Sequence, residues 1–448
     1  MQIKSVSKIY ILRLCVLAFI GLFGVCRSHA DIASGLELSG MSFLSSDYDR
    51  TDTKAFNFIG AHLKSYQSEH DIFKIDLHGA YSAGNAVLSY INIKELYFTF
   101  DIDYSSSVHV GRKLMNWSDA DQRWNLGMFQ PQFRWNPLDV ENQGVFGVFY
   151  EKRSNNVTFS LFGSTVHIPD QGPGYELKNG KFEASNPYFT PPPQNIYFQD
   201  VLLPIDYNIH EPEFSEVVFQ PSFGIQLKYS DLSTGLYTAL SGAYKPAGQF
   251  AMGYQGILVT DRVRIDIKPK SYYEKLINLD LGYNGDWGNT GLSVLYNDSE
   301  NAKFESGYNY PIFKPTVTTA PYVKLFMNPF DVELSFLFNS NAEVKELGPE
   351  ASDKRQSLTQ KFLYENAYQV QLNYKSLLTK DLLYRSNLQW RAAEGTLLQI
   401  LKWKNTLDVR GPWKFTFDVL LVETSDEVSA VSNYRNLDQA WLGVIYDF

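Results

Sequence analysis

Gln439-Ala440-Trp441-Leu442-Gly443-Val444-Ile445-Tyr446-Asp447-Phe448 is the stretch whose reading decides the fold. In steps of two, Ala440, Leu442, Val444, Tyr446 and Phe448 make an unbroken apolar face. Gln439, Trp441, Gly443, Ile445 and Asp447 make the other. A period of two belongs to a β-strand, whose successive side chains point to opposite sides of the sheet. An amphipathic strand of a soluble β-protein has the same period, so the rest of the chain has to separate the two.

The alternation recurs from end to end. Phe73, Ile75 and Leu77 alternate with Lys74, Asp76 and His78; Leu96, Phe98, Phe100 and Ile102 alternate with Tyr97, Thr99 and Asp101. Further sets follow at Ile277 to Tyr283, Val332 to Phe338, Tyr368 to Tyr374, Leu382 to Trp390 and Phe415 to Leu421. Strands are predicted near 31–44, 54–66, 71–82, 92–102, 106–113, 144–151, 156–163, 222–230, 234–244, 273–284, 290–297, 318–327, 330–338, 363–375, 381–391, 396–405, 412–423 and 437–448. Each has about the 9 to 11 residues that cross a bilayer as a tilted strand. No segment of similar length has a helical period. The chain therefore reads as all-β, with 16 and 18 strands both open, because 249–268, with Val263, Ile265 and Ile267, also reads as a hairpin extended above a membrane.

The gaps alternate in length. Short ones fall at 105–106, 152–155, 328–329 and 376–380, and long ones at 114–143, 164–221, 298–317 and 339–362. Transmembrane barrels have short turns on one side and long loops on the other. Only the gap at 391–395 is short where a long one belongs. The Pro-rich stretch 164–221, with Pro191-Pro192-Pro193, reads as one large external loop that is stiff and extended where prolines cluster. An inter-domain linker is the alternative.

At the other end, Lys4, Lys8 and Arg13 precede an apolar run from Leu14 to Val25 and then Ser28-His29-Ala30. This is the layout of a secretory signal peptide over 1–30, cleaved after Ala30, with one barrel domain over 31–448. Cys15 and Cys26 leave with it, so the mature chain has no thiol and no disulfide framework. Its cations fall from 40 to 36 against 49 acids, a balance that speaks against nucleic acid as a partner. After residue 30 nothing offers eighteen consecutive apolar residues, so a membrane span must use a closed barrel. The 29 Tyr and 31 Phe suit aromatic girdles.

With these features, the terminal strand ending on Phe448 resembles the C-terminal signal of Gram-negative outer-membrane β-barrels of the porin-like superfamily. The resemblance covers 31–448 at the level of strand pattern. It implies a transmembrane antiparallel up-and-down barrel of about 16–18 strands, placed in the outer membrane. It also implies lipid and lipopolysaccharide as surroundings, and the barrel-assembly machinery as reader of Leu442, Val444, Tyr446 and Phe448. An oligomer stays open. The acidic Pro-Glu-Phe-Gly-Gly element of general trimeric porins is absent.

In porins the third external loop folds into the lumen, and here the third is 114–143. Its candidate constriction residues are Trp117, Asp119, Asp121, Arg123, Trp124, Arg134, Trp135, Asp139 and Glu141, preceded by Arg112. Acids and arginines facing each other in a low-dielectric tube make a transverse field that selects solutes by charge. Lys74, Asp101, Lys375, Arg385, Arg391 and Lys414 lie on polar faces and are candidates for the lumen wall; capping strand ends in the headgroup region is the alternative. Trp117, Trp124 and Trp135 form either an aromatic track for saccharides or the loop's packing against the wall. By strict alternation Arg112 shares the lipid face with Val108 and Val110, unless Gly111 marks a bulge that turns it inward.

Six histidines of the mature chain are scattered, without metal-binding spacing. No nucleophile elbow exists. The expectation is a non-enzymic porin for passive diffusion of small hydrophilic solutes, without metal or cofactor. A specific transporter of a saccharide or hydrophobic ligand and a closed, adhesin-like or structural barrel are the alternatives.

Overall fold

The computed structural model describes residues 32–48, 51, 53–65, 72–183, 186–189, 191–300, 306–341, 345–346, 363–394, 398–425 and 434–448. Within them, 18 strands form one closed antiparallel β-barrel. The first nine are β1 (Ile32–Phe43), β2 (Ala55–Ser65), β3 (Phe73–Ala83), β4 (Tyr90–Asp103), β5 (Ser106–Lys113), β6 (Val145–Ser154), β7 (Val157–Ser164), β8 (Ser222–Ser230) and β9 (Leu236–Pro246). The second nine are β10 (Tyr273–Gly285), β11 (Gly288–Ser299), β12 (Thr316–Met327), β13 (Phe330–Ser340), β14 (Asn366–Thr379), β15 (Leu382–Ala393), β16 (Gln399–Val409), β17 (Trp413–Glu423) and β18 (Gln439–Asp447). Each pairs with its neighbour in sequence. β18 pairs with β1, from Gly35 opposite Asp447 to Phe43 opposite Gln439, and so closes the sheet. Closure leaves no edge, which hydrocarbon demands because it holds no water to satisfy unpaired N–H and C=O groups.

The strand number is thus 18. Ala251–Val259 and Arg262–Lys270 form a hairpin outside the barrel sheet. With Val201–Ile209 and Asn195–Phe198 they make a separate four-stranded sheet, which ties the 165–221 connection to 247–272. Two-residue links at 104–105, 155–156, 286–287, 328–329 and 380–381 lie at one end of the barrel; the strand ends that bound 114–144, 165–221, 247–272, 300–315 and 341–365 lie at the other. Asn155, at φ 47°, closes one tight link in the left-handed region that asparagine tolerates. The expected signal peptide falls on residues outside those described.

Alternation gives the barrel two unlike surfaces. Leu38, Phe100 and Leu442 are 62 %, 55 % and 65 % exposed on the outer face, with Ile59, Phe98, Leu279, Phe336, Phe415 and Phe448 likewise exposed. An apolar exterior of this extent is stable in lipid, not in water. The inner face carries the charge: Glu37, Asp76, Lys402, Asp418 and Asp447 take the opposite phase on their strands.

Removing residues 439–448 deletes β18 together with both ladders it makes. The refolded protein is then expected to lose the compact, heat-modifiable band that a closed barrel gives on an unboiled SDS gel. A truncated chain that keeps that band would sink the closing role of β18.

Candidate functional site

The connection from β5 to β6 does not project away from the barrel. It lies against inward-facing side chains of the barrel wall. Gln226 on β8 donates to the Asn116 carbonyl at 2.7 Å; Ser241 on β9 and Asn278 on β10 donate to the Trp117 carbonyl at 2.7 and 3.2 Å. Ser118 meets Ser293 on β11 at 3.2 Å, and its hydroxyl caps the short helix Asp119–Trp124. Asp119 accepts a hydrogen bond from the Tyr237 hydroxyl on β9. Arg123 pairs with Glu333 on β13 at 2.6 Å and lies 3.3 Å above the Tyr322 ring on β12. Arg391 on β15 donates to the Arg123 carbonyl at 3.0 Å.

Apolar contacts underlie these bonds. Met115, Trp117, Met128 and Phe129 of the loop are buried against Phe149, Phe162, Leu276 and Leu295 of β6, β7, β10 and β11. Each large side chain so buried contributes roughly 1.5–3 kcal/mol. The Asp121 carboxylate accepts from the Met128 and Phe129 amides at 3.2 and 3.1 Å, which closes the turn that delivers those side chains. Asp121 is fully buried in this role and does not face the cavity described below.

The loop is pinned where it returns. Arg112 pairs across the sheet with Leu96 and Phe146, both on the outer face, so its position on β5 is an outer one. Its guanidinium nevertheless turns to the loop, donating to the Gly144 carbonyl at 2.9 Å and to Gln143 at 2.6 Å. No register shift occurs at Gly111. Gly111 instead adopts φ +132°, where an added Cβ would lie 2.3 Å from the Leu96 carbonyl oxygen. Arg112 therefore anchors the loop's end rather than lining the lumen. Arg134 faces Asp170 at 3.8 Å, and the Asp170 carboxylate also accepts from the Gln132 amide at 2.9 Å, so this loop is locked to the 165–221 connection.

Between the second half of the loop and the wall formed by β16 to β18 and β1 to β4 lies a cavity of about 470 Å³, with loop–wall contacts at its rim. Asp139 holds Lys402 at 3.1 Å and Lys404 at 2.6 Å, both on β16. Burial alone would push the Asp139 carboxyl up, but the two ammonium groups hold it below the usual carboxylate range. Glu141 faces Lys94 on β4 at 3.8 Å; Lys64 and Asp76 pair at 3.1 Å. His78 meets Glu37 at 3.3 Å and the Tyr90 hydroxyl at 3.2 Å, and His62 meets Asp447 at 3.2 Å.

The residues singled out in the sequence fall into three groups. Trp135, Asp139 and Glu141 line the cavity. Trp117, Asp119, Asp121, Arg123 and Trp124 bind the loop to the barrel; Trp124 is buried beside Tyr364 and 5.4 Å from the Arg391 guanidinium. Of the wall candidates, Lys414 pairs with Asp447 and Arg385 with Asp408, while Lys74 donates to the Ser65 carbonyl at 3.0 Å. Lys375 and Asp101 are exposed near the short turns. Glu37, Tyr90, Lys402, Lys404 and Trp441 line the cavity without having been singled out. Trp441 sits in the polar phase of its strand, and that break of phase was the available signal.

Arg123→Ala leaves Glu333 facing the loop without its cation. Because the pair is partly open to solvent, the expected cost is about 2 kcal/mol, below the 3–5 kcal/mol of a fully buried pair. Faster hydrogen exchange confined to residues 116–130 checks it; unchanged exchange there would show that the pair does not hold the loop.

No family model matches the chain, and neither does any curated protein sequence. Solved structures similar to it include the outer membrane protein OpdK from Pseudomonas aeruginosa, at 11 % identity and a TM-score of 0.46, covering 93 % of this chain and 99 % of that one. A BenF-like porin from Pseudomonas fluorescens Pf-5 is 12 % identical with a TM-score of 0.44, over 93 % and 98 % of the two chains. OccAB4 from Acinetobacter baumannii is 10 % identical with a TM-score of 0.44, over 94 % and 99 %. At these identities and TM-scores the likeness is one of architecture and does not extend to solute or mechanism.

Proposed function

We propose that the chain is a non-enzymic outer-membrane channel through which small hydrophilic solutes diffuse, exported with residues 1–30 as a cleaved signal peptide. One observation carries this reading: a closed barrel, apolar outside, whose interior holds a charged cavity between the 114–144 loop and the wall from β16 to β4. A lipid-facing exterior with an ionised interior is the division of surfaces that a water-filled pore requires. In this reading the loop sets selectivity, because Asp139 and Glu141 bring fixed charge to face Lys402, Lys404 and Lys94 where the lumen is narrowed. The exposed apolar belt meets membrane lipid, with lipopolysaccharide in the outer leaflet. The outward row Leu442, Val444, Tyr446 and Phe448 is the segment offered to the assembly machinery.

Refolded protein in a planar bilayer tests the proposal. Stable ohmic steps are expected, with a nonzero reversal potential in a salt gradient. A folded barrel that never conducts would overturn it and favour a surface-binding role for the long connections. Asp139→Asn removes the shared partner of Lys402 and Lys404, so the reversal potential is expected to move toward the chloride limit. No movement would mean that ions do not pass this triad.

A further inference from the structure

Two kinds of surface line the cavity. One is a run of rings supplied by Phe133 and Trp135 of the loop, Tyr90 of β4 and Trp441 of β18. Tyr90 lies 5.3 Å from Phe133 and 4.9 Å from Trp135, centroid to centroid, and Trp135 lies 6.0 Å from Trp441. These rings are held in place. The Trp135 indole donates to the Leu88 carbonyl at 3.1 Å, and Trp441 stacks on Phe58 at 5.2 Å with an interplanar angle of 28°. Such a surface does not have to be ordered when a solute arrives.

The other surface is ionic, and its lysines are already matched. Lys64, Lys94, Lys402 and Lys404 each have a carboxylate within 4.0 Å, at 3.1, 3.8, 3.1 and 2.6 Å. An anionic solute that sought one of these lysines would have to displace a carboxylate, and a cationic one that sought their carboxylates would have to displace an ammonium group; Asp418, which lies outside these pairs, accepts from the Asn405 amide at 3.2 Å. Hydroxyl groups face no such competition, because each donates to a carboxylate and accepts from an ammonium group without breaking the pair. The volume, about 470 Å³, falls in the range of roughly 300–1,000 Å³ typical of small-molecule sites.

From these two surfaces together we propose that the cavity is a saccharide-binding site. A pyranose ring packs on the half-buried rings of Tyr90 and Trp441, which the buried Trp135 holds from behind, while its hydroxyls hydrogen-bond to the ion pairs of Asp139 and Glu141. The inference rests on the channel reading and names the solute class for it. Trp117 and Trp124, sealed between loop and wall, take no part.

The test follows the intrinsic tryptophan fluorescence of the refolded barrel on titration with maltotriose, sorbitol and benzoate. The same solutes are then added to single channels. Maltotriose is expected to shift the fluorescence and interrupt the current. Sorbitol, which has hydroxyls but no ring, and benzoate, which has a ring and a net charge, are expected to act at least about ten-fold more weakly. Trp441→Leu is expected to weaken maltotriose roughly ten-fold. Tyr90→Leu serves the same purpose if that variant does not fold. Benzoate acting as strongly as maltotriose, or a conducting channel that ignores maltotriose, overturns the saccharide assignment and leaves the channel standing. A fluorescence response without conduction upholds the site and overturns the channel.

Discussion

In hydrocarbon every backbone amide must find its partner within the protein, and the ladder between β1 and β18 lets all the others do so. Without it the sheet would present two open edges to lipid, each a row of unsatisfied groups. With it, every one of the 18 strands is interior to the sheet. The alternation of side chains then acquires a fixed meaning, since one phase must meet lipid and the other must not.

Closing 18 strands leaves an interior too wide for wall side chains to fill, and the 114–144 connection fills part of it. Its two halves attach to opposite parts of the wall. Hydrogen bonds and rings join its first half to β8 through β13 and to β15, while its second half meets Lys402 and Lys404 on β16, Trp441 on β18 and Asn92 on β4 around the cavity. The cavity so enclosed is lined partly by loop and partly by wall. The charges along it obey the cost of desolvation: Arg123 has Glu333, Asp139 has two lysines, and Lys64 has Asp76. Each is held without leaving a lone ion in a poorly solvated place.

Much of the fold was legible because strand alternation is local. Each of the 18 segments read from the sequence holds one strand of the barrel, and the extra hairpin near 249–268 stands outside it. The site was less legible, because a side chain's partners there come from residues far along the chain. Asp121 and Asp139 look alike in sequence, yet one closes a turn while the other meets Lys402 and Lys404. Arg112 occupies an outer register position, and only the path of the returning loop explains why its guanidinium turns to Gly144. Phase breaks were the missed signal. Phe149, Phe162, Leu276 and Leu295 are large apolar residues in the inward phase, and they mark where the loop docks.

The sequence by itself determined the strands, the two faces of each and the unequal lengths of the connections, because these depend on period and spacing along a few residues. Tertiary structure alone decided that the strands number 18. It also decided which loop residues serve as anchors and which face open space, and that Tyr90, Trp135 and Trp441 come together beside paired charges. Those outcomes follow from closure, which sets strands distant in sequence across one lumen and so chooses each residue's neighbours.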